Sequence, residues 1–317
     1  MKRDDKRKIV LVGTGMVGMS YAYALLNQSA CDELLLIDID AARAEGEAMD
    51  LSHGLAFSPG HMRIATGQYA DCADADIVVL CAGVAQKPGE ERPALLARNA
   101  EVFRSIVEPV VRSGFSGIFL VATNPVDVMT RLTQALSGFA PGRVVGTGTA
   151  LDTARLRYLL GEYFCVDPRN VHAYVMGEHG ESEFVPWSQA MLATKPVFTV
   201  CEESGGRFRA GDMEGLADRV RCAAQQIIAA KRATYYGIGM AMARITRALL
   251  GDENSVLTVS TLLRGAHGVR GVFAGIPCVV GGAGVRETLT LPLLPEEEER
   301  FRRSCEVLDA CWKELSF

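Results

Sequence analysis

Four short runs of consecutive apolar residues constrain the fold of this chain more than any other feature. They are KIVLVG, ELLLID, DIVVLCAG and GIFLVAT, and longer amphipathic stretches separate them. A strand that is apolar on both faces is typical of a parallel sheet covered by helices on each side. The alternation therefore predicts a doubly wound α/β fold with a parallel sheet, in which RVVGTG forms the last strand.

The pattern changes from about Leu151 onward. A helix is predicted for LDTARLRYLLGEYF and a strand for NVHAYVMG. A long helical region is predicted from Asp212 to about Leu250, with an interruption near the glycines of YYGIG. Two or three strands follow in SVLTVSTLL and VFAGIPCVVGG, and a terminal helix begins at Pro295. We expect a dinucleotide-binding domain over residues 1–146 and a second, α+β substrate domain over residues 147–317, joined by a large rigid interface.

Composition excludes several classes of protein. The net charge of -5 gives no reason to expect nucleic acid or an anionic membrane as a partner. MKRDDKRK predicts a solvated charged tail rather than a signal peptide, and no apolar run reaches the length of a membrane helix. Nine cysteines without a C-x-x-C pair indicate a reducing, cytosolic compartment. No metal site and no hydrolase G-x-S-x-G motif is expected.

A glycine motif follows the first predicted strand. VGTGMVG places three glycines in G-x-G-x-x-G spacing where a helix begins, which lets a pyrophosphate approach the backbone. Asp38 ends the next strand, 20 residues after Gly18, where a carboxylate can bind ribose hydroxyls and repel a 2′-phosphate. The alternative, a glycine turn with a capping aspartate, fits this strand–helix context less well. We expect a Rossmann-type NAD site formed by Gly13, Gly15, Met16, Val17, Gly18 and Asp38.

The loop AGVAQKPGEER follows the strand DIVVLC. Ligands of doubly wound sheets bind outside the carboxyl ends of the strands, so this loop lies where a substrate would bind. Its polar residues, Gln86, Lys87 and Arg92, could belong to an ordinary solvated loop. They could also belong to a lid that closes over a substrate and delivers Arg92. The location favours the lid.

His179 lies in GEHGES, between glycines and glutamates. A hydride that arrives at a carbonyl carbon creates an alkoxide, and a histidine with a carboxylate behind it can protonate that oxygen. Asp152 and Arg155 in LDTARLR share one helix face, so Asp152 could orient His179 while Arg155 binds a substrate carboxylate. An ordinary intrahelical ion pair and a loop histidine bonded to backbone explain the same residues. The residues alone leave the two interpretations equal.

Several motifs together carry a resemblance to a known family. GTGMVG with Asp38, AQKPGEER, VATNPVD, LDTARLR, GEHGES and RATYYGIGMA occur in this order over most of the chain. The chain resembles the lactate/malate dehydrogenase family, and its bacterial lactate dehydrogenases in particular. The resemblance implies that His179 is the acid/base with Asp152 as its partner, that Arg155 binds the substrate carboxylate, and that Arg92 polarises the carbonyl.

The same resemblance implies further substrate contacts and a preferred substrate. Asn124 would contact the nicotinamide end of the pocket and the substrate, and Thr234 would line the substrate site. Members that act on malate typically have arginine at the position of Gln86, to meet the second carboxylate of oxaloacetate. A neutral Gln86 suits pyruvate, because it leaves no buried cation without a partner. The expected reaction is the reversible NADH-dependent reduction of pyruvate to L-lactate.

Three alternatives to this reaction remain open. Gln86 also suits a longer apolar 2-oxo acid, as in branched-chain 2-hydroxyacid dehydrogenases, and malate dehydrogenase is a second alternative. Ala85 and Pro93 replace the asparagine and leucine that are common in this loop, and both bear on selectivity. A non-catalytic NADH-sensing regulator would keep the glycines and lose the set formed by Asp152, Arg155 and His179, which is complete here.

A second site concerns regulation. Arg157 is about 200° around the helix from Arg155 and is expected to face away from the substrate, toward another subunit. In bacterial lactate dehydrogenases activated by fructose 1,6-bisphosphate, an arginine and a histidine at the positions of Arg157 and His172 meet phosphate across a subunit interface. The pair is compatible with such a site and equally with purely structural roles. A homotetramer is expected, and the remaining histidines, His53, His61 and His267, are expected to be structural or solvent-exposed.

Overall fold

A computed structural model describes residues 6–84 and 92–315 of the chain. Ala85, Gln86 and Lys87 lie outside these ranges. A helix begins at Arg92, but the side chains of Arg92 and Pro93 also lie outside the described part. The lid that was predicted for this loop therefore stays a prediction.

The first half of the chain alternates strands and helices, as the apolar runs predict. One strand, Arg63–Thr66, was not predicted, because it lies at the sheet edge with only its central residues half-buried and carries no continuous apolar run. The elements are β1 Lys8–Val12, α1 Met16–Gln28, β2 Glu33–Ile37, α2 Ala41–His53, β3 Arg63–Thr66, β4 Ile77–Leu80, α3 Arg92–Arg112, β5 Ile118–Val121, α4 Val126–Ser137 and β6 Val144–Gly146.

These six strands form a parallel sheet in the order β3-β2-β1-β4-β5-β6. From β1 the chain continues to β2 and β3 on one side, and from β4 it continues to β5 and β6 on the other side. A crevice therefore opens between the carboxyl ends of β1 and β4. Doubly wound sheets bind their ligands at this switch point. Strands β1, β4 and β5 are fully buried, which explains why each of them is a continuous apolar run in the sequence.

The second half differs from its prediction in one strand. NVHAYVMG forms only the two-residue strand Val171–His172, and the chain then leaves this sheet, with Met176 and Gly177 making isolated bridges elsewhere. The elements are α5 Ala150–Phe164, β7 Val171–His172, β8 Met191–Leu192, β9 Lys195–Pro196, α6 Val197–Glu203, α7 Met213–Lys231, α8 Tyr236–Leu250, β10 Ser255–Arg264, β11 Arg270–Gly281, β12 Gly284–Thr288 and α9 Pro295–Glu314.

Strands β10 to β12 extend the parallel sheet to nine strands rather than forming a sheet of their own. They pair antiparallel, and β10 joins β6 through Ser260 and Gly146. A Cβ at position 146 would lie 2.2 Å from Oγ1 of Thr130 and 2.8 Å from Cβ of Ser260. Glycine therefore permits the close contact at which the two halves of the chain join.

Helix packing also connects the two halves. α1 packs lengthwise against α8, where a Cβ at Gly239 would lie 2.7 Å from Oγ of Ser20. The hydroxyls of Tyr21 and Thr246 are 2.8 Å apart in the same buried interface. One apolar cluster runs from the parallel strands into α8, β10, β11 and α9, and a second lies beneath α5 and α7. Within the described ranges, every helix is too short or too polar to cross a lipid bilayer.

Candidate active site

A cleft of about 920 Å³ lies at the carboxyl ends of β1 and β4. The three glycines of the predicted motif differ in what they require there. Gly13 has φ +103°, and a Cβ there would lie 2.5 Å from the backbone nitrogen of Ala82. A Cβ at Gly18 would lie 2.1 Å from the carbonyl oxygen of Gly13. Gly15 opens α1, and no atom lies within 4 Å of a Cβ built on it. The open space at Gly15 is what a pyrophosphate at the start of α1 needs, so these residues fit a dinucleotide.

Asp38 lines the same cleft at the end of β2. Its carboxylate accepts hydrogen bonds from the N–H of Thr14 (2.7 Å), the hydroxyl of Thr14 (2.8 Å) and the N–H of Asp40 (3.0 Å). Burial would raise the pKa of Asp38, but these hydrogen bonds outweigh it and lower the pKa. An ionised carboxylate at this end of the cleft can accept hydrogen bonds from ribose hydroxyls and would repel a 2′-phosphate, which fits NAD better than NADP.

His179 and Asp152 meet although 27 residues separate them in the chain. Nδ1 of the imidazole lies 2.6 Å from Oδ2 of Asp152. Burial would lower the pKa of His179, but the charge and hydrogen bond of Asp152 outweigh it and raise the pKa to about 9. The contact holds a proton on Nδ1 and leaves Nε2 as the nitrogen that can exchange a proton with a substrate. This geometry favours the catalytic interpretation of His179 over a loop histidine bonded to backbone.

Arg155 binds the other oxygen of the same carboxylate. Its Nη1 lies 2.7 Å from Oδ1 of Asp152, and its side chain is mostly buried. Burial would raise the pKa of Asp152, but the charges of His179 and Arg155 lower it. Asp152 therefore stays ionised between two cations, which places a guanidinium next to the acid–base histidine. A substrate with one carboxylate and one carbonyl fits such a pair.

The segment that carries His179 is held by contacts on both sides. The hydroxyl of Thr149, just before α5, donates to the carbonyl of Val175, and the N–H of Val175 donates to the hydroxyl of Thr153 on α5. Gly177 has φ +95°, and a Cβ there would lie 2.4 Å from Oγ of Ser304. Gly177 is thus required by its conformation and by its close approach to α9. Gly180, the other glycine of GEHGES, does not have a positive φ.

Two acids of the site were missed by sequence reasoning. Asp127 of α4 is buried and accepts the backbone N–H of His179 on Oδ2 (2.9 Å). Burial raises the pKa of Asp127 to about 6. Glu183 is also buried and lies beside Asp152 and His179. Both directly follow quoted motifs or lie within them, VATNPVD and GEHGES, but only the fold shows that they are buried at the histidine.

Of the other predicted residues, Asn124 lies at the carboxyl edge of the sheet. Asn124 follows β5 and is exposed, and Thr234 is half-buried in the break between α7 and α8. The N–H of Val84, the last described residue before the predicted lid, donates to Oδ1 of the buried Asn99 (2.9 Å). The start of that loop is therefore anchored to α3.

Arg157 lies against the chain segment that contains His172. Nε of Arg157 donates to the carbonyl of Ala173 (3.1 Å), the residue after His172. Its guanidinium lies 5.2 Å from the centre of the Tyr174 ring, and burial lowers its pKa. His172 is exposed. Arg157 thus has a structural role in addition to any ligand that it binds.

Asp152, His179 and Glu183 also offer three atoms that could approach a metal ion. These atoms lie within 4.8 Å of one another. Nδ1 of His179 and Oδ2 of Asp152 are already bonded at 2.6 Å, which leaves no room for an ion between them. Zinc ligands lie about 2 Å from the ion, so two of them are separated by more than this contact. The arrangement fits a proton-transfer group better than a metal centre.

Comparison with known proteins decides the family. Residues 7–146 match the family model for the NAD-binding domain of lactate/malate dehydrogenases. Residues 149–315 match the model for the α/β C-terminal domain of the same enzymes. The chain belongs to the lactate/malate dehydrogenase family.

Relatives of this lactate/malate dehydrogenase chain include curated bacterial enzymes. The L-lactate dehydrogenase of Geobacillus sp. (strain WCH70) is 50% identical over 308 residues, which cover 97% of this chain and 96% of the relative. That of Geobacillus stearothermophilus is 50% identical and covers 97% of each chain. The crystal structure of the minor L-lactate dehydrogenase from Enterococcus mundtii in its ligand-bound form has a TM-score of 0.97 and 46% identity, covering 99% of this chain and 100% of that one.

The findings confirm the predicted family, the Rossmann-type fold class, and the class of NAD-dependent oxidoreductases with NAD as the cofactor. The relatives also bear out the expected L-lactate dehydrogenase class of enzyme. The ligand-unbound form of the Enterococcus mundtii enzyme has a TM-score of 0.91 and 45% identity, covering 100% of this chain and 99% of that one. This lactate/malate dehydrogenase chain is thus more similar in backbone to the bound form than to the unbound form.

Proposed function

We propose that this chain catalyses the reversible, NADH-dependent reduction of pyruvate to L-lactate, with His179 as the acid–base group. The observation that carries the proposal is the carboxylate of Asp152, which bonds Nδ1 of His179 on one oxygen and Nη1 of Arg155 on the other. One anion thereby holds a proton donor and an anion-binding guanidinium side by side. The relatives that match nearly the whole chain are named L-lactate dehydrogenases, which supports the same reaction.

The residues divide the chemistry between them. NADH, when bound, supplies the hydride that adds to C2 of pyruvate. Arg155 binds the carboxylate of pyruvate and orients the carbonyl. His179 donates the proton of Nε2 to the carbonyl oxygen as negative charge develops there, and the product is L-lactate. Asp152 keeps the imidazole in the orientation and tautomer that this transfer requires. In the reverse direction the neutral imidazole accepts the hydroxyl proton of lactate.

Four further residues complete the proposal by their resemblance to family positions. Arg92, at the start of α3, polarises the carbonyl when the loop before it closes. Asn124 contacts the nicotinamide end of the pocket and the substrate. Thr234 lines the substrate site, and Gln86 contacts the methyl end of pyruvate. The positions of Asn124 after β5 and of Arg92 at the head of α3 support these roles, because both lie at the carboxyl edge of the sheet.

The test is an absorbance assay of NADH oxidation with three substrates. Pyruvate, oxaloacetate and 2-oxoisocaproate differ in the group that faces position 86. We expect the highest kcat/KM with pyruvate. A preference for oxaloacetate or 2-oxoisocaproate would instead favour a malate or a branched-chain 2-hydroxyacid dehydrogenase. NADH binding without turnover of any 2-oxo acid would favour a sensor.

Gln86→Arg tests whether the side chain at position 86 determines the preference between pyruvate and oxaloacetate. The added cation would lie unpaired against the methyl group of pyruvate and paired against the second carboxylate of oxaloacetate. We expect the ratio of kcat/KM values to move toward oxaloacetate by at least about tenfold, since leaving one charge unpaired costs more than about 1.4 kcal/mol. Gln226→Arg, at an exposed glutamine of α7 outside the cofactor cleft, is the control. An unchanged ratio in Gln86→Arg would remove this residue from substrate selection.

Fructose 1,6-bisphosphate is a proposed activator that acts through Arg157 and His172. The contact of Arg157 with Ala173, the residue after His172, supports this. The doubling of both residues by symmetry in an oligomer would supply enough positive charge for two phosphates. We expect the sugar bisphosphate to lower the KM for pyruvate and His172→Gln to weaken the effect. Equal rates with and without the bisphosphate at subsaturating pyruvate would contradict the proposal.

A homotetramer in a reducing, cytoplasmic compartment is also proposed. Large apolar side chains are exposed on the packed pair of helices α1 and α8, namely Met16, Tyr23, Tyr236 and Met240. Such a surface is typical of one that another subunit covers. All nine cysteines lie in the described ranges and all are free thiols. Size-exclusion chromatography with light scattering tests the assembly, and a monomer at micromolar concentration would contradict it.

A further inference from the structure

Glu183 is a buried acid that lies next to the imidazole of His179. It is 5% exposed and lies four residues after His179. One of its carboxyl oxygens, an oxygen of Asp152 and a ring nitrogen of His179 lie within 4.8 Å of one another. The mechanism above does not use it. A third titratable group at this distance necessarily interacts with the other two.

The carboxyl group of Glu183 lacks partners in the part of the chain that the structure describes. Among residues 6–84 and 92–315, no hydrogen bond and no ion pair within 4.0 Å reaches its oxygens. Glu297 is buried to a similar degree, but its carboxylate accepts the N–H and the hydroxyl of Ser188 and the N–H of Leu294. Glu297 has the contacts of a structural carboxylate and Glu183 does not.

Asp152 cannot compensate a charge on Glu183, because both groups are acids. The cations nearest to Asp152 are already bonded to it, His179 on Oδ2 and Arg155 on Oδ1. Burial, together with the charge of Asp152, raises the pKa of Glu183 to about 9. Glu183 therefore holds a proton at neutral pH and loses it in the same pH range as His179.

We propose that Glu183 is a positioning residue of the proton-transfer group, which titrates jointly with His179 beside Asp152. As the pH rises, each ionised Glu183 adds a negative charge that keeps the neighbouring imidazole protonated. The pair then loses its protons over a wider pH range than a lone imidazole would. The consequence for pyruvate reduction rests on the proposed function, because the reduction needs the protonated imidazole.

Charged groups from other elements face this cluster and do not replace Glu183. The positive charges of His179, Arg155 and Arg221 lower the pKa of Glu183, but burial and the charge of Asp152 raise it by more. The carboxylate of Asp127 favours the protonated imidazole, as Glu183 does, and Glu178 lies near Asp127. The facing groups are Asp152 and Arg155 on α5, Arg221 on α7, Asp127 on α4, and Glu178 in the segment of His179.

The experiment compares Glu183→Gln with Glu181→Gln. Glutamine has nearly the size of the protonated acid and cannot ionise. Glu181 is exposed, lies two residues earlier and undergoes the same replacement of a carboxyl group by an amide, so it is the matched control. The protonation of His179 is followed by NMR of histidine-labelled apo protein, with His179→Asn to assign one signal among five histidines. The alkaline limb of kcat/KM for pyruvate is followed in parallel.

In Glu183→Gln we expect the His179 titration to move to lower pH by about 0.5 to 1 unit and to narrow to a one-proton curve. The size follows from the shift of about 1–3 units that a fully ionised neighbour produces, reduced because Glu183 ionises only partly in that range. The alkaline limb of pyruvate reduction should move with it. Glu181→Gln should titrate as the wild type does.

Two results would overturn the proposal. Equal His179 midpoints in Glu183→Gln and the wild type would show that Glu183 only fills space, even if kcat falls. A one-proton curve for His179 in the wild type would do the same without any variant, so a Glu183→Gln protein that does not fold leaves the question decidable. Joint titration in a protein that does not turn over pyruvate would instead contradict the proposed function and leave this inference intact.

Discussion

At the scale of single residues, the carboxylate of Asp152 decides the protonation of the site. It offsets the burial of His179, which would otherwise lower the imidazole pKa, and raises that pKa to about 9. The imidazole is therefore protonated at neutral pH, as pyruvate reduction requires. Since reduction consumes the protonated form and lactate oxidation needs the neutral form, we infer opposite responses of the two directions as the pH rises through about 9.

Asp152→Asn tests this role. Asparagine keeps the size of the side chain but loses its charge, so burial would bring the pKa of His179 below its ordinary value. We expect kcat/KM for pyruvate at pH 7 to fall by about 10²–10⁴, with the remaining activity shifted to lower pH. Asp167→Asn removes an exposed aspartate that pairs with Arg169 and should leave the pH profile unchanged. An unshifted profile in Asp152→Asn would contradict the assigned role.

The same groups predict how stability depends on pH. His179 and Glu183 both have folded-state pKa values of about 9, above their ordinary values of 6.5 and 4.5. Between pH 6.5 and 9 the folded apo protein therefore binds more protons than the unfolded chain, and its stability should fall as the pH rises. Each extra bound proton contributes a slope of about 1.4 kcal/mol per pH unit.

Urea unfolding of the apo protein at pH 6.5, 7.5 and 8.5 measures this slope, and Glu183→Gln should reduce it. His267, whose pKa is lowered by burial, acts below this window and does not change the sign. Stability that is constant or rises from pH 6.5 to 8.5 would show that neither raised pKa exists in solution.

At the scale of elements, one glycine of the turn between β1 and α1 is needed for folding and another for binding the cofactor. A methyl group on Gly18 would meet the carbonyl oxygen of Gly13, whereas one on Gly15 would enter open space in the cleft. Gly18→Ala should therefore destabilise the protein by about 1–3 kcal/mol, because the backbone must shift. Gly15→Ala should leave the apo protein as stable as the wild type and weaken NADH binding by at least about tenfold.

Thermal unfolding and fluorescence titration with NADH measure these two effects separately. Gly46→Ala, at an exposed helix position with nothing within 4 Å of the added methyl group, is the control for glycine replacement itself. Wild-type NADH affinity in Gly15→Ala would place the pyrophosphate elsewhere. A fully stable Gly18→Ala would contradict the close contact within the turn.

At the scale of the whole molecule, the two halves share one sheet and one apolar cluster. Strands β10 to β12 continue the parallel strands of the first half, and α8 packs along α1. We therefore expect one cooperative unfolding transition rather than two, even though two family domains divide the chain. The proposed boundary between residues 146 and 147 then separates two sequence families and two functions, but it does not separate two independently stable units.

Buried thiols report on both halves in one experiment. Cys31 and Cys72 are buried in the first half, and Cys201 and Cys278 are buried in the second. Alkylation in increasing urea, read by mass spectrometry, should show all four becoming reactive at the same concentration. Protection of Cys31 beyond the point at which Cys278 reacts would indicate a separately stable first half and contradict the prediction.

Patterns that are local in the chain were predictable from sequence. The apolar runs predicted β1, β2, β4 and β5, because a strand buried on both faces needs apolar residues at every position. The spacing of Gly13, Gly15 and Gly18 predicted the turn into α1, because it depends on the backbone of a few consecutive residues. The position of Asp38 at the end of β2 was predictable for the same reason, because β1, α1 and β2 are consecutive in the chain. The edge strand β3 and the short strand β7 were not predicted correctly, because half-buried or two-residue strands have no distinct pattern.

Contacts between distant segments were decided only by the tertiary structure. His179, Asp152 and Arg155 were candidates in the sequence, but 27 residues separate the imidazole from its carboxylate, and spacing alone could not bring them together. The burial of Asp127 and Glu183 arises from elements that lie far apart in the chain. Acid–base properties depend on burial and on neighbouring charge, so the sequence by itself determined which chemical groups are present, and the packing of the fold determined which of them hold a proton.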